Sequence, residues 1–254
     1  RGIDILCRNL ASLGLLDSQN GRYKNSPLGA TALNRKNPEY RGAYLSLLQQ
    51  HWDAWSGLTN SVRSGTPHDD GEPIHQEEYR RAFTWAMHHR SRDIAPRIAK
   101  HIDLRGSTTL LDVGGGPGTY TLAMLARWPK LHGTIGDRPA ALQVARAVAR
   151  KHPAGKRLSY LPLDFMAEDI SGSYDVIFLS NVIHIYGPDE NIELLKKIKA
   201  ALNPGGRIII QDFFLWDKKG LRPIETNLFA ITMLLYTDTG NTYTAQEVKK
   251  WITK

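Results

Sequence analysis

One cysteine stands among the 254 residues of this chain. Cys7 has no partner for an intrachain disulfide, and no Cys/His cluster has the spacing of a zinc site. No apolar run approaches the roughly 20 residues that a membrane span needs, and the first residues do not follow the charged-then-apolar layout of an export signal. These absences point to the cytoplasm. Acidic residues are in deficit, 25 against 33 Lys and Arg, for a formal charge of +8. The excess is spread along the chain, with only short clusters such as Lys196, Lys197 and Lys199, so it reads as a solvated basic surface rather than a polyanion-binding face. A hydrophobic fraction of 41% is enough for a buried core, and the length allows one large or two modest domains.

Apolar residues at helical spacing (Ile3, Leu6, Leu10, Leu13) predict a helix that Gly14 stops. Asn20-Gly21 between two short apolar-polar runs predicts a two-residue hairpin. Helix followed by hairpin is half of a winged-helix unit, which raises a nucleic-acid-binding alternative. Arg22 and Lys24 are the hairpin's only basic residues, which disfavours it. From Pro38 to about Leu104 the pattern is helical, broken by a polar loop at 64–73. Trp52, Trp55, Phe83, Trp85 and Met87 in this stretch are expected to be core or a pocket wall.

From Ser107 onward strands and helices alternate: strands at 109–113, 132–136, 158–163, 174–179 and 207–211, helices at 119–127, 140–151 and 190–202. That alternation predicts an α/β, Rossmann-like parallel sheet with helices on both faces, whose ligands bind beyond the carboxyl ends of the strands. The run Leu110-Leu111-Asp112-Val113-Gly114-Gly115-Gly116-Pro117-Gly118-Thr119-Tyr120 takes an apolar strand through a carboxylate and a glycine turn into a helix. Glycine admits left-handed backbone and close approach of a ligand, and the helix start offers free N–H groups. A dinucleotide fingerprint would need its third glycine at 119, where Thr119 stands; the glycines fall instead at Gly114, Gly116 and Gly118, two residues after Asp112. The pattern acidic-x-G-x-G-x-G resembles motif I of S-adenosylmethionine-dependent methyltransferases. Asp137, about 20 residues past the loop at a strand end, can accept both hydroxyls of a ribose. Asp164-Phe165, one strand-helix unit later, resembles the acidic-plus-apolar step that holds an adenine in such enzymes.

Taken with Asp137-Arg138-Pro139, Phe178-Leu179-Ser180-Asn181-Val182-Ile183-His184, Asn203-Pro204-Gly205-Gly206-Arg207 and Met233-Leu234-Leu235-Tyr236, these motifs resemble the large O-methyltransferase family. That family includes plant caffeate-type enzymes, hydroxyindole O-methyltransferase and bacterial natural-product tailoring enzymes. The resemblance implies a mainly helical, winged-helix-like dimerisation domain at 1–104 and an S-adenosylmethionine-binding domain at 105–254. It implies a homodimer, with Phe83, Ala86, Met87 and Ser91 on the helix linking the domains. It also implies His184 as the general base that deprotonates an acceptor hydroxyl, and Asp212 as the carboxylate that orients it. Arg138, Ser180 and Asn181 fall at cofactor-contacting positions of the same motifs.

Departures are visible as well. Ile185 follows the histidine where plant members carry aspartate, Thr242 takes the place of a second glutamate, and Ser180 that of an adenosine-contacting lysine. These changes resemble bacterial members. An acceptor pocket of Phe83, Met87, Phe229, Met233 and Thr237 is expected, apolar and suited to a planar hydroxylated aromatic or polyketide-like molecule. Carbon or nitrogen methylation, or retention of the cofactor without methylation, are the nearest alternatives. His184 alone gives too few ligands for a metal-dependent variant. By the resemblance, the chain starts inside the winged unit and stops at Trp251-Ile252-Thr253-Lys254, before a final strand pair, so a protein truncated at both ends is expected.

Overall fold

The computed structural model describes residues 1–37, 39–68, 77–217 and 219–253. Pro38, Lys254 and residues 69–73 of the expected polar loop lie outside that range. Helix α1 (Gly2–Ser12) ends just before Gly14, which turns the chain at φ +73°. Strands β1 (Leu16–Gln19) and β2 (Arg22–Asn25) pair antiparallel, with Gln19 opposite Arg22. Asn20 and Gly21 between them have φ of +51° and +71°, the two positive dihedrals that this hairpin turn demands. Helix α2 (Pro27–Ala32) is capped by Ser26, whose hydroxyl oxygen accepts the Gly29 amide at 3.0 Å.

Helices α3 (Gly42–Gln50), α4 (Trp52–Ser56), α5 (Leu58–Ser64), α6 (Glu77–Ser91) and α7 (Ala95–His101) complete the first half. Here the expectation of core for the aromatic residues needs correction. Trp52 is 76% exposed, and Trp55 and Phe83 are exposed too, while Trp85 and Met87 are half-buried. The helices are short and α1 buries no residue, so they leave apolar side chains facing outward.

The second half is built on β3 (Thr109–Val113), α8 (Thr119–Arg127), β4 (His132–Asp137), α9 (Pro139–Ala149), β5 (Leu158–Pro162), β6 (Tyr174–Ser180), α10 (Pro188–Ala200), β7 (Leu202–Gln211), α11 (Ile224–Tyr236) and α12 (Ala245–Ile252). The five strands lie in the order β5-β4-β3-β6-β7, all parallel. Side chains alternate across this sheet. Leu110 and Phe178 join the layer under α8 and α9, while Leu111, Ile177 and Leu179 join the layer under α10 and α12. The chain builds outward from β3 in one direction and then resumes on its other side. The switch point therefore falls between the carboxyl ends of β3 and β6, the place where sheets of this kind take their ligands.

Element limits differ from the sequence expectation for physical reasons. Helices α9 and α10 start earlier because Pro139 and Pro188 occupy first-turn positions, where a missing N–H costs nothing. Strand β7 starts at Leu202 rather than 207: Leu202 pairs with Tyr174, the turn through Gly205 at φ +76° bulges out, and the ladder resumes with Arg207 opposite Val176. Among the described residues no helix is long and apolar enough to cross a membrane.

Gly118 closes the turn into α8 at φ +69°, and a Cβ there would lie 2.2 Å from Ile135 Cδ1. Gly205 shares the positive φ but has open space around it. Gly205→Ala should therefore lose only the roughly 1–2 kcal/mol of left-handed strain, a melting shift of ~2–8 °C. Gly118→Ala should lose at least twice that, because overpacking adds to the strain. Equal losses in thermal melts of the two variants would contradict the Ile135 contact.

Candidate active site

The glycine loop sits over a buried carboxylate. Asp112 is 1% exposed; its Oδ2 accepts the Thr121 hydroxyl at 2.5 Å, while Oδ1 meets no hydrogen-bond partner among the described residues. Burial pushes its pKa up to about 7, against the pull of the Thr121 hydrogen bond. A Cβ on Gly115 would meet the Asp112 carboxyl carbon at 2.7 Å, so the loop folds directly onto this group. Asp112 thus shapes the loop from below instead of lining the crevice.

Gly114 and Gly116 turn at φ +67° and +51°. Space opens at Gly116, where a Cβ would find only the Thr84 methyl, 4.0 Å away. Asp137 ends β4 beside it: Oδ2 accepts the Gly116 amide at 2.8 Å and Oδ1 the Arg138 amide at 2.7 Å. Burial raises the Asp137 pKa, opposed by these two amides. Arg138 reaches Asp164 at 3.2 Å, and Asp164 Oδ1 in turn accepts the Met166 amide at 3.2 Å. The Phe165 ring lies against the loop, 3.4 Å from where a Gly114 Cβ would be. At the end of β6, the Ser180 hydroxyl donates to Gln211 Oε1 at 2.5 Å, and Asn181, at φ +58°, donates to Ser180 at 3.0 Å. A small-residue cradle and two strand-end acids fit an adenosine-bearing ligand.

Helix α6 roofs this loop. Glu77 accepts from Gln143 of α9 at 3.2 Å, Thr84 stands over Gly116, and His88 Nδ1 meets the Thr119 hydroxyl at 2.8 Å. Burial depresses the His88 pKa to about 4, so it bonds as a neutral ring. None of these contacts was anticipated; their signal in the sequence is the spacing of 77, 84, 88 and 91 along one face of a helix.

Across the crevice His184 sits in the 3-10 turn Ile183–Ile185, 7% exposed. Its Nδ1 lies 2.6 Å from Asp212 Oδ1, and Asp212 also accepts the Ile183 amide at 3.0 Å and the Phe213 amide at 2.7 Å. A carboxylate acceptor makes Nδ1 the protonated nitrogen and leaves the Nε2 lone pair free. The buried Asn191 amide donates to the Ile183 and Tyr186 carbonyls at 2.9 and 2.8 Å, fixing the turn from behind.

Phe229 packs edge-on to the His184 ring with centroids 4.8 Å apart, and Phe213 stacks on Phe229 at 4.2 Å. Phe213 was not among the expected residues, although it directly follows Asp212. Met233 is buried on α11, but Thr237 is a turn residue: its hydroxyl donates to the Met233 carbonyl at 2.7 Å and accepts the Gly240 amide at 3.0 Å. Phe83 stacks on Tyr79 with centroids 6.4 Å apart, and Met87 follows one turn along α6.

A doubly wound sheet with an acid-glycine loop at its switch point, faced by a histidine-carboxylate pair, defines the S-adenosylmethionine-dependent methyltransferase class. Within it the chain belongs to the O-methyltransferase family, whose O-methyltransferase domain matches residues 64–254. It is 29% identical to 3-hydroxy-5-methyl-1-naphthoate 3-O-methyltransferase of Streptomyces sahachiroi, over 99% of this chain and 74% of that one. It is 30% identical to the mitomycin biosynthesis 6-O-methyltransferase of Streptomyces lavendulae, over 91% of this chain and 68% of that one. Human N-acetylserotonin methyltransferase, solved in complex with S-adenosylmethionine, shares the fold with a TM-score of 0.86 at 22% identity, covering 99% of this chain and 76% of that one.

Asp112 provides a pH test. Its folded pKa of about 7 lies above the ordinary 3.8, so the buried acid is neutral at low pH and carries a growing cost as pH rises between those values. The melting temperature of the native protein relative to Asp112→Asn should fall from about pH 4 to about pH 7 and stay level above. Parallel profiles for the two proteins would exclude a buried, proton-holding Asp112.

Proposed function

We propose that this protein transfers the methyl group of S-adenosylmethionine to a hydroxyl of an aromatic or polyketide-like small molecule, with His184 as general base. The observation that carries the reading is the 2.6 Å His184–Asp212 contact inside an aromatic wall, opposite the glycine loop. When bound, the cofactor supplies an electrophilic methyl group on a sulfonium. The loop Gly114–Gly118 would hold it without side-chain interference, Asp137 its ribose hydroxyls, and Asp164 and Phe165 its adenine. Arg138, Ser180 and Asn181 would add contacts at its edges. Relatives named for a hydroxynaphthoate and for mitomycin biosynthesis support a ring-bearing acceptor.

A phenol has a pKa near 10 and imidazole one near 6.5, so the proton is best removed as the new bond forms. The free Nε2 of His184 takes that proton, and Asp212 stabilises the resulting imidazolium while holding the ring's orientation. Phe229 and Phe213 exclude water from the base and offer flat surfaces to a planar acceptor. Met87 and Met233 add an adaptable lining. A hydroxyl needs this base more than an already nucleophilic amine does, which favours oxygen over nitrogen as the methyl acceptor.

The reading includes a division into a covering domain at 1–104 and a cofactor domain at 105–254, a cytoplasmic place, and a homodimer. Apolar side chains left outside by the first half, Ile3 at 80% and Leu13 at 68% exposure among them, support a second copy as their cover. The hairpin's small stock of cations speaks against nucleic acid as a partner.

His184→Ala should cut turnover by roughly 10²- to 10⁴-fold while leaving the affinity for S-adenosylhomocysteine, measured by calorimetry, unchanged. Turnover equal to the native protein's would refute the base assignment. Asp137→Ala should do the reverse to binding, weakening S-adenosylhomocysteine by roughly 10- to 100-fold through two lost charge-assisted hydrogen bonds. Unaltered affinity in that variant would dismiss the ribose role.

A further inference from the structure

Phe83, Met87 and Arg90 stand at spacings of four and three on α6 and so share a face of that helix. Arg90 reaches the aromatic cluster beside the base. Its guanidinium carbon lies 5.6 Å from the centroid of the Phe213 ring and 5.8 Å from that of Tyr44. Phe213 is the residue after Asp212, and its ring centroid is 6.0 Å from that of His184. One aromatic ring therefore separates Arg90 from the catalytic histidine.

Among the described residues, no acidic side chain pairs with Arg90. The acids nearby serve other arginines: Glu39 meets Arg92 and Arg41, and Asp93 meets Arg41 at 2.6 Å. A guanidinium held near two ring faces makes no hydrogen bond to them through its five N–H donors. Arg90 is exposed, so its N–H donors are within reach of an incoming anion. Its field reaches Tyr120, opposing the rise in that phenol's pKa that burial causes. A planar fork of donors that meets no acid among the described residues is matched to a carboxylate, which it can take by two parallel hydrogen bonds.

We propose that Arg90 anchors a carboxylate of the acceptor, so that the preferred substrates are hydroxylated aromatic acids rather than neutral phenols. The proposal rests on the reading of the site as an O-methyltransferase and adds the charge of its substrate. The carboxylate docks on the Arg90 edge, the ring lies against Phe213 and Phe229, and the hydroxyl reaches Nε2 of His184. The cofactor also carries a carboxylate, on its methionine end, and the test separates the two sources.

The experiment compares hydroxybenzoates and hydroxynaphthoates with their carboxamides, using the native protein, Arg90→Gln and Arg90→Lys. Equilibrium binding in the presence of S-adenosylhomocysteine is the first readout, because it does not depend on turnover. The native protein should bind the best acid at least 10-fold more tightly than its amide, and Arg90→Gln should erase that ratio by weakening the acid alone, roughly 10- to 100-fold. Arg90→Lys should restore part of it, since a point charge replaces the fork. In turnover the loss should appear in the acceptor KM, with kcat and the affinity for S-adenosylhomocysteine unchanged. Equal binding of acid and amide by the native protein, or an equal loss of both in Arg90→Gln, would overturn the proposal. So would a loss of S-adenosylhomocysteine affinity without a loss for 5′-methylthioadenosine, which lacks the carboxylate and would assign Arg90 to the cofactor. Binding with the expected ratio but without any methyl transfer would instead sink the parent reading and leave the anion site standing.

Discussion

The tight passage of the chain between β3 and α8 is the constraint on which the rest of this structure depends. A Cβ on Gly118 would force the Ile135 side chain to move, and Gly115 lies on the carboxyl group of Asp112. Because the loop is pressed down on both points, α8 starts immediately above the sheet and the amide of Gly116 comes within 2.8 Å of Asp137. The crevice at the switch point exists because this turn contains little but backbone. A burial cost accompanies it: a carboxylate oxygen that meets no hydrogen-bond partner among the described residues, beneath a loop that must stay thin.

Much of this was legible in the residues. The alternating strands and helices, the Asn-Gly hairpin and the acid-glycine turn each have a local cause, and local causes can be read along a chain. Asp137, Asp164 and His184 were legible because parallel sheets place strand ends at one edge, so position in the alternating pattern implied position in the crevice. The partnership of His184 with Asp212 needed β6 and β7 to be neighbours, which the resemblance implied and the ladder from Val176–Arg207 to Ser180–Gln211 realises.

What escaped was long-range or compensatory. The roof of α6 over the loop depends on how two halves of the chain pack: the spacing of 77, 84, 88 and 91 marks one face of the helix but not the surface that this face meets. Phe213 was hidden beside a residue with a stronger chemical signal. The Thr237 hydroxyl has a local use, closing the turn after α11, that the sequence pattern does not show. The tryptophans at 52 and 55 show the limit of composition: an aromatic side chain signals burial only if some other surface is present to cover it.

Helix α6 is one rigid body touching both ligand sites. Its Thr84 and His88 meet the glycine loop and the first turn of α8, and Arg90, less than two turns on from Thr84, meets the ring next to the base. Two pockets with a common wall cannot be set independently: a shift of that wall toward one occupant changes the room left for the other. Whatever free energy the first arrival spends or gains in seating the helix is felt by the second, and equally in the opposite order. For a two-substrate reaction this makes order of addition, and inhibition by the spent donor, properties of a single helix rather than of either pocket.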